Sequence, residues 1–224
     1  MGIRRAQSPF RFVSCMELRE IMGVRAHDEQ RLLEVIEEAP LDCIYYHTHS
    51  YFLRHEYLQS LYPNDFATWA AVHVRDPVLG ERLGVLDPFG FDDLDSLRAE
   101  IASIIADHLS RLKTIPRVVT GEPFEFVRSH IIEADLELEV WTIEEFRERL
   151  GTVEAGAIYN HVCEARMRKG RLLGDFGLWI DAPDGLQWPE LAERVAAVGR
   201  RGLSLEGYRA EIVRLCDGAL AVAT

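Results

Sequence analysis

The segment Pro9-Phe10-Arg11-Phe12-Val13 returns 114 residues later as Pro123-Phe124-Glu125-Phe126-Val127. The same offset carries Ile44-Tyr45-Tyr46-His47 onto Ile158-Tyr159-Asn160-His161, and Arg54 onto Arg168. Asn64-Asp65-Phe66 with Trp69 follows as Gly174-Asp175-Phe176 with Trp179, at an offset of 110. Leu79–Arg82 then matches Leu191–Arg194 at 112, and Leu97–Ile101 matches Tyr208–Ile212 at 111. Ordered blocks with so little drift read as a duplication, which restricts the fold to arrangements that one module can adopt twice. The chain of 224 residues then divides into 1–113 and 114–224. The expectation is two tandem modules, packed as one globular unit about a pseudo-twofold axis.

Within each module the apolar spacing is mainly helical. Asp28 suits an N-cap, and Leu32, Leu33, Val35 and Ile36 form the apolar stripe of a helix over 28–39. Thr142 with Glu145 has capping-box spacing for the equivalent helix of the second copy. Further helices are predicted over 42–60, 77–85 and 93–112, with a short one carrying Phe66 and Trp69. The second copy predicts helices over 155–168, 175–181, 189–198 and 204–217. Phe124–Ile132 and Leu136–Trp141 alternate in part, as half-buried strands do, whereas Cys15–Val24 fits strand or helix. The fold class is therefore α+β, predominantly α-helical, with short strands that a small shared sheet would bury.

Composition closes several function classes. Lysine plus arginine total 25 against 37 acidic residues, a net charge of −12 that divides equally between the halves. No basic stripe is present for nucleic acid, and no apolar run is long enough to span a membrane. The N-terminus has arginines but no apolar stretch behind them, so it does not read as a secretory signal. Cys15, Cys43, Cys163 and Cys216 form no CxxC pair, so zinc-finger and thioredoxin chemistry is excluded and reduced, buried thiols are expected. A cytoplasmic protein is the expectation, with a small molecule or a protein as partner. A homo-oligomer is compatible with the sequence.

The chemistry-bearing residues retained in both copies are Tyr45 and Tyr159, His47 and His161, Arg54 and Arg168, Asp65 and Asp175, Trp69 and Trp179. Histidine and arginine seven residues apart share a helical face, and aspartate and tryptophan four apart share the next. One reading is structural, with the aspartate accepting hydrogen bonds and the tryptophan sealing a helix seam. The other makes the set a small-ligand pocket, with tryptophan as its floor and histidine and arginine as anion donors. The alternative function is a metal-dependent enzyme, a hydrolase or an oxidoreductase, holding a divalent metal with His47, His49, His161 and Glu164. His47-Thr48-His49 resembles the HxH opening of the metal site in metal-dependent amidohydrolases. On a strand both imidazoles would point one way, but the helical spacing here turns them about 200° apart. No nucleophile elbow, phosphate loop, dinucleotide fingerprint or HExxH motif occurs. The sequence therefore favours a non-enzymatic binding or accessory protein, with no cofactor demanded.

Phe10-Arg11-Phe12, the stretch Pro40–Ser50, Asn64-Asp65-Phe66, Ala157–Arg166 and Gly174-Asp175-Phe176 together resemble an uncharacterised prokaryotic family, known only as a domain of unknown function. The resemblance covers nearly the whole chain. It implies a bacterial or archaeal cytoplasmic protein and carries over no catalytic residue.

Overall fold

The structure is a computed structural model that describes residues 4–54 and 62–223. In chain order it contains β1 (Arg5–Ala26), α1 (Glu29–Glu38), α2 (Leu41–Thr48), α3 (Ser50–Arg54) and α4 (Asp65–Trp69). A π-helical turn over Ala70–Val74 precedes α5 (Pro77–Gly84) and α6 (Leu94–Ser110). β2 (Phe124–Thr142) leads into α7 (Ile143–Leu150) and α8 (Ala155–Tyr159), followed by a π-helical turn over Asn160–Glu164. Then come α9 (Ala165–Met167), α10 (Gly174–Asp181), α11 (Pro189–Val198) and α12 (Leu205–Ala223). The protein is thus α+β and mainly helical, with β1 and β2 hydrogen-bonded as a two-stranded sheet.

The strands are not short. β1 has 22 residues and β2 has 19, several times the usual strand length. They run antiparallel, since Arg11 pairs with Glu139 while Arg25 pairs with Glu125. The chain forms two compact units, neither of which follows from cutting the sequence once. The first unit is Glu17–His130, and the second combines Met1–Met16 with Ile131–Thr224. Each strand therefore contributes one end to either unit.

In the first unit, Asp28 caps α1 by accepting from Arg31 N–H, and α1 buries Leu32, Leu33, Val35 and Ile36 as its spacing requires. These residues join Ile44, Phe66, Leu79, Leu97 and Ile101 in a core that also takes in Phe124 and Phe126 of β2. In the second unit, Thr142 caps α7, and Glu145 reaches back to Trp141 N–H in a capping-box exchange. Phe146, Tyr159, Phe176, Leu191 and Tyr208 are buried there, and the rings of Phe146 and Phe176 pack against Phe10 and Phe12 of β1. The helix predicted over 42–60 is interrupted at His49, giving α2 and α3, and its remainder at 55–60 lies outside the described residues.

Two pairs of left-handed residues are spaced by the sequence offsets. Gly23 and Glu137, 114 apart within the strands, have φ of 71° and 56°. Arg75 and Gln187, at 66° and 53°, share that conformation two residues before a proline that starts a helix. Glycine bears that φ freely, whereas Arg75, Glu137 and Gln187 do so against a Cβ clash.

Candidate functional site: two grooves, each with a histidine clasp

His47 on α2 is 3% exposed, and both its ring nitrogens are engaged. Val127 of β2 donates its backbone N–H to His47 Nε2 at 3.1 Å. A backbone N–H can only donate, so Nε2 is the accepting nitrogen and Nδ1 carries the proton. That Nδ1–H donates to Asp65 Oδ2 at 2.9 Å. Asp65, at the start of α4, also accepts from Arg54 Nη2 at 2.6 Å. Arg54 donates in addition to the Tyr46 carbonyl and lies over the Tyr46 ring at 4.1 Å. Burial pushes the His47 pKa below the ordinary histidine value, against the opposing pull of Asp65. Burial alone would raise Asp65, but hydrogen bonds and charge from His47 and Arg54 outweigh it and hold the carboxyl low. The imidazole packs against Phe66 and Phe124, with ring centroids at 5.3 and 4.6 Å, and those two rings stack on each other at 5.1 Å. Trp69 closes the seam by donating Nε1–H to the Glu122 carbonyl at 2.9 Å.

The second unit repeats the arrangement with the other strand. His161, in the π-helical turn, accepts from Val13 N–H of β1 at 2.8 Å and donates Nδ1–H to Asp175 Oδ2 at 2.8 Å. Phe10 and Phe176 pack against its ring at 4.8 and 5.2 Å and against each other at 5.3 Å. Trp179 donates to the Ser8 carbonyl at 3.0 Å. Burial would raise Asp175, but hydrogen bonds from His161 and Arg171 leave it lowered.

Each clasp lies in the wall of an open groove. The first, of about 290 Å³, is lined by Tyr46, His47, Asp65, Thr68, Trp69 and His73, with Pro123–Glu125 and Val127 from β2 and the residue before it. The second, of about 420 Å³, is lined by Asn160, His161, Asp175, Leu178 and Trp179, with Pro9–Arg11 and Val13 from β1. Glu133, Lys169 and Arg171 complete its rim, where Lys169 pairs with Glu133 and Arg171 with Asp175. His47, Asp65 and Trp69 thus line one groove, and His161, Asp175 and Trp179 the other. Tyr45 and Tyr159 do not, being fully buried in their cores. Arg54 faces Asp65 and the Tyr46 carbonyl rather than open space. Arg168 stands 3.8 Å from Glu164, and the arginine on Asp175 is Arg171 instead. Arg171 was detectable as an i, i+4 partner of Asp175.

The donors expected to hold a metal behave differently. The lone pair of His47 and that of His161 are each taken by a backbone N–H. His49 is buried, stacked on Tyr45 at 4.9 Å with Thr48 Oγ1 at 3.1 Å from Nδ1. Glu164 is buried beside Arg168. Among the described residues, no three of His47, His49, His161 and Glu164 bring ligand atoms together within 4.8 Å. What sequence reasoning missed is the origin of the groove walls. The two Pro-Phe-x-Phe-Val segments were visible as repeats, but nothing local links Val127 to His47 or Val13 to His161.

Among the described residues no helix is long and apolar enough to cross a membrane. The fold is similar to that of OrfY from Thermoproteus tenax, with a TM-score of 0.78 and 25% identity over 97% of this chain and 98% of that one. No curated protein matches the chain. Residues 7–217 match the family of unknown function DUF5752, and the chain belongs to that family.

Proposed function

We propose that this chain is a non-enzymatic binding protein made of two copies of one module, 1–113 and 114–224, each carrying one groove for a small ligand. The observation that carries the reading is the correspondence between the groove walls. His47 pairs with His161, Asp65 with Asp175, Trp69 with Trp179, Tyr46 with Asn160 and Thr68 with Leu178 at the repeat offsets. The strand residues Pro123–Glu125 and Val127 pair likewise with Pro9–Arg11 and Val13, leaving only His73 of the first groove without a counterpart. The paired left-handed residues and the paired helix caps Asp28 and Thr142 support the duplication. In this reading the copies have exchanged first strands, so the β strand of either copy supplies a wall of the other copy's groove.

The clasps argue against catalysis by these histidines. A general base needs a free nitrogen facing substrate, and each imidazole here has its acceptor nitrogen bound to a backbone N–H. The groove volumes fit ligands at or near the small end of the usual range of about 300–1,000 Å³. All four cysteines are buried thiols, which suits a reducing compartment and is consistent with a cytoplasmic prokaryotic protein. Ligand-observed NMR with a fragment library tests the proposal. Fragments that bind the wild type are expected to lose the first groove in Thr68→Trp and the second in Leu178→Trp. Equal binding by the wild type and both filled variants would overturn it.

A further inference from the structure

We propose that Glu29, Asp76 and His108, in the first unit and outside its groove, form a site for one divalent metal ion of the zinc or manganese class. Three separate elements converge there. Glu29 is the first residue of α1, Asp76 is the N-cap of α5, and His108 lies in the last turn of α6. His108 Nε2 is 2.9 Å from Asp76 Oδ2 and 3.6 Å from Glu29 Oε2, and one ligand atom from each residue lies within 4.8 Å of the others. Tetrahedral ligands at zinc bond lengths stand about 3.3–3.6 Å apart, so only a small adjustment would seat the ion.

Burial makes the cluster hard to explain as ordinary surface acidity. Glu29 is 0% exposed, and among the described residues neither of its carboxylate oxygens has a hydrogen-bond donor. A buried carboxylate without donors is costly unless it is neutralised or coordinates an ion. Arg82 of α5 and Arg111 at the end of α6 are both drawn to Asp107. Asp76 is oriented for the task. Its Oδ1 accepts from Leu79 N–H as the helix cap, which aims Oδ2 at His108. Two carboxylates and a neutral imidazole offer only nitrogen and oxygen donors, and a dication would balance their charge. Three protein donors leave one tetrahedral position open, and the ion would tie α1, α5 and α6 together.

The other half of the chain lacks the set. On the duplication proposed above, the positions opposite Glu29, Asp76 and His108 are Ile143, Trp188 and Ala219. Ile143 and Ala219 are buried, so the second unit closes the same place with apolar packing. The site is consequently a property of one unit, and it stands or falls independently of ligand binding in the grooves.

The experiment uses the full chain produced without an affinity tag, stripped with EDTA and then titrated with zinc chloride or manganese chloride. Bound metal is measured after gel filtration, and thermal melts are recorded alongside. The expected result is one ion per chain and a Tm raised by about 5–10 °C at roughly a hundredfold excess over Kd. Glu29→Gln preserves volume, so it should fold while weakening metal binding at least about tenfold and abolishing the metal-dependent rise in Tm. His108→Ala should act the same way. Wild-type protein that retains no metal, or metal that persists equally in Glu29→Gln and His108→Ala, would overturn the assignment. So would a Glu29→Ile variant that melts above metal-treated wild type, since the cluster would then be a burial defect rather than a site.

Discussion

Replacing His47 by alanine removes the clasp at its centre, and its cost follows from the hydrogen bonds and ring packing that the imidazole makes. Val127 N–H, bound to Nε2 at 3.1 Å, is left without that partner, a penalty of about 1 kcal/mol for a part-buried donor on the groove wall. The hydrogen bond to the Asp65 carboxylate at 2.9 Å adds about 1.5–3 kcal/mol, reduced because Arg54 still holds Asp65. Packing against Phe66 and Phe124 contributes about 1 kcal/mol more. Since these terms overlap, a total near 3–5 kcal/mol is expected, which lowers Tm by about 6–20 °C for a chain of this size. Chemical denaturation measures the loss, and amide hydrogen exchange supplies a local check. Val127 should exchange much faster in His47→Ala, while Val13, held by His161 in the other unit, should not change. A cost below about 0.5 kcal/mol, within the usual range of surface substitutions, together with unaltered exchange at Val127, would refute the clasp.

Acid should erode this contribution specifically. Burial depresses the His47 pKa, so as pH falls below the unfolded value of 6.5 the unfolded chain takes up a proton that the native imidazole refuses. The stability advantage of wild type over His47→Gln, measured by urea unfolding, should therefore be full above pH 6.5 and shrink on acidification; a constant advantage from pH 7 to 5 would contradict it. The thiols should be inert, because burial pushes Cys43 and Cys216 up to about 12 and raises Cys163 well above its ordinary value. Ellman's reagent at pH 8 should react with them only after denaturation. Gly156→Ala should cost about 1–3 kcal/mol, since its Cβ would meet Ser14 Oγ at 2.7 Å and the Cys15 carbonyl at 2.9 Å; an unchanged melting curve would mean that β1 does not approach α8 so closely. Where Glu125 lines the first groove, Arg11 lines the second. Arg11→Glu should weaken an anionic fragment in the second groove by about two- to fivefold, and equal affinity would remove charge from the account of selectivity.

Most of the helical scaffold was legible because its signals are local. The stripe of Leu32, Leu33, Val35 and Ile36 behind the Asp28 cap needs only ten residues to declare α1. Pro77 and Pro189 likewise mark the starts of α5 and α11. The length of the strands was not legible. Through the middle of β1 the side chains of Met16, Leu18 and Ile21 are all exposed, so the two-residue burial rhythm that identifies a strand is absent there. Nor does local pattern reveal which helices a strand end will meet. The bond between Val13 and His161 spans 148 residues and depends on distant ends of the chain having come together in one unit. The retained histidines were visible at once, but their tautomer and their engagement on both sides follow only from the three-dimensional arrangement.

Retention and divergence then carry different information in the two halves. His47, Asp65 and Trp69, with His161, Asp175 and Trp179, spend their polar atoms on backbone and on one another. Such residues recur in both halves at positions where losing one would leave a part-buried polar group without its partner, which favours them for folding whether or not a ligand binds. They fix the groove but have little left with which to discriminate among ligands. Under the proposed function, selectivity would fall to lining positions where the halves differ: Tyr46 against Asn160, Thr68 against Leu178, Glu125 against Arg11. The first groove presents hydroxyls and a carboxylate there; the second presents an amide, an aliphatic side chain and a guanidinium. Glu125 is held by Arg25 and Arg11 by Glu139, so either charge is tempered yet keeps its sign at the rim. If each groove takes a ligand as proposed, a single ligand class would give the two halves no reason to reverse the sign at this position, and rims that differ there are better matched to two different ligands than to two equivalents of one.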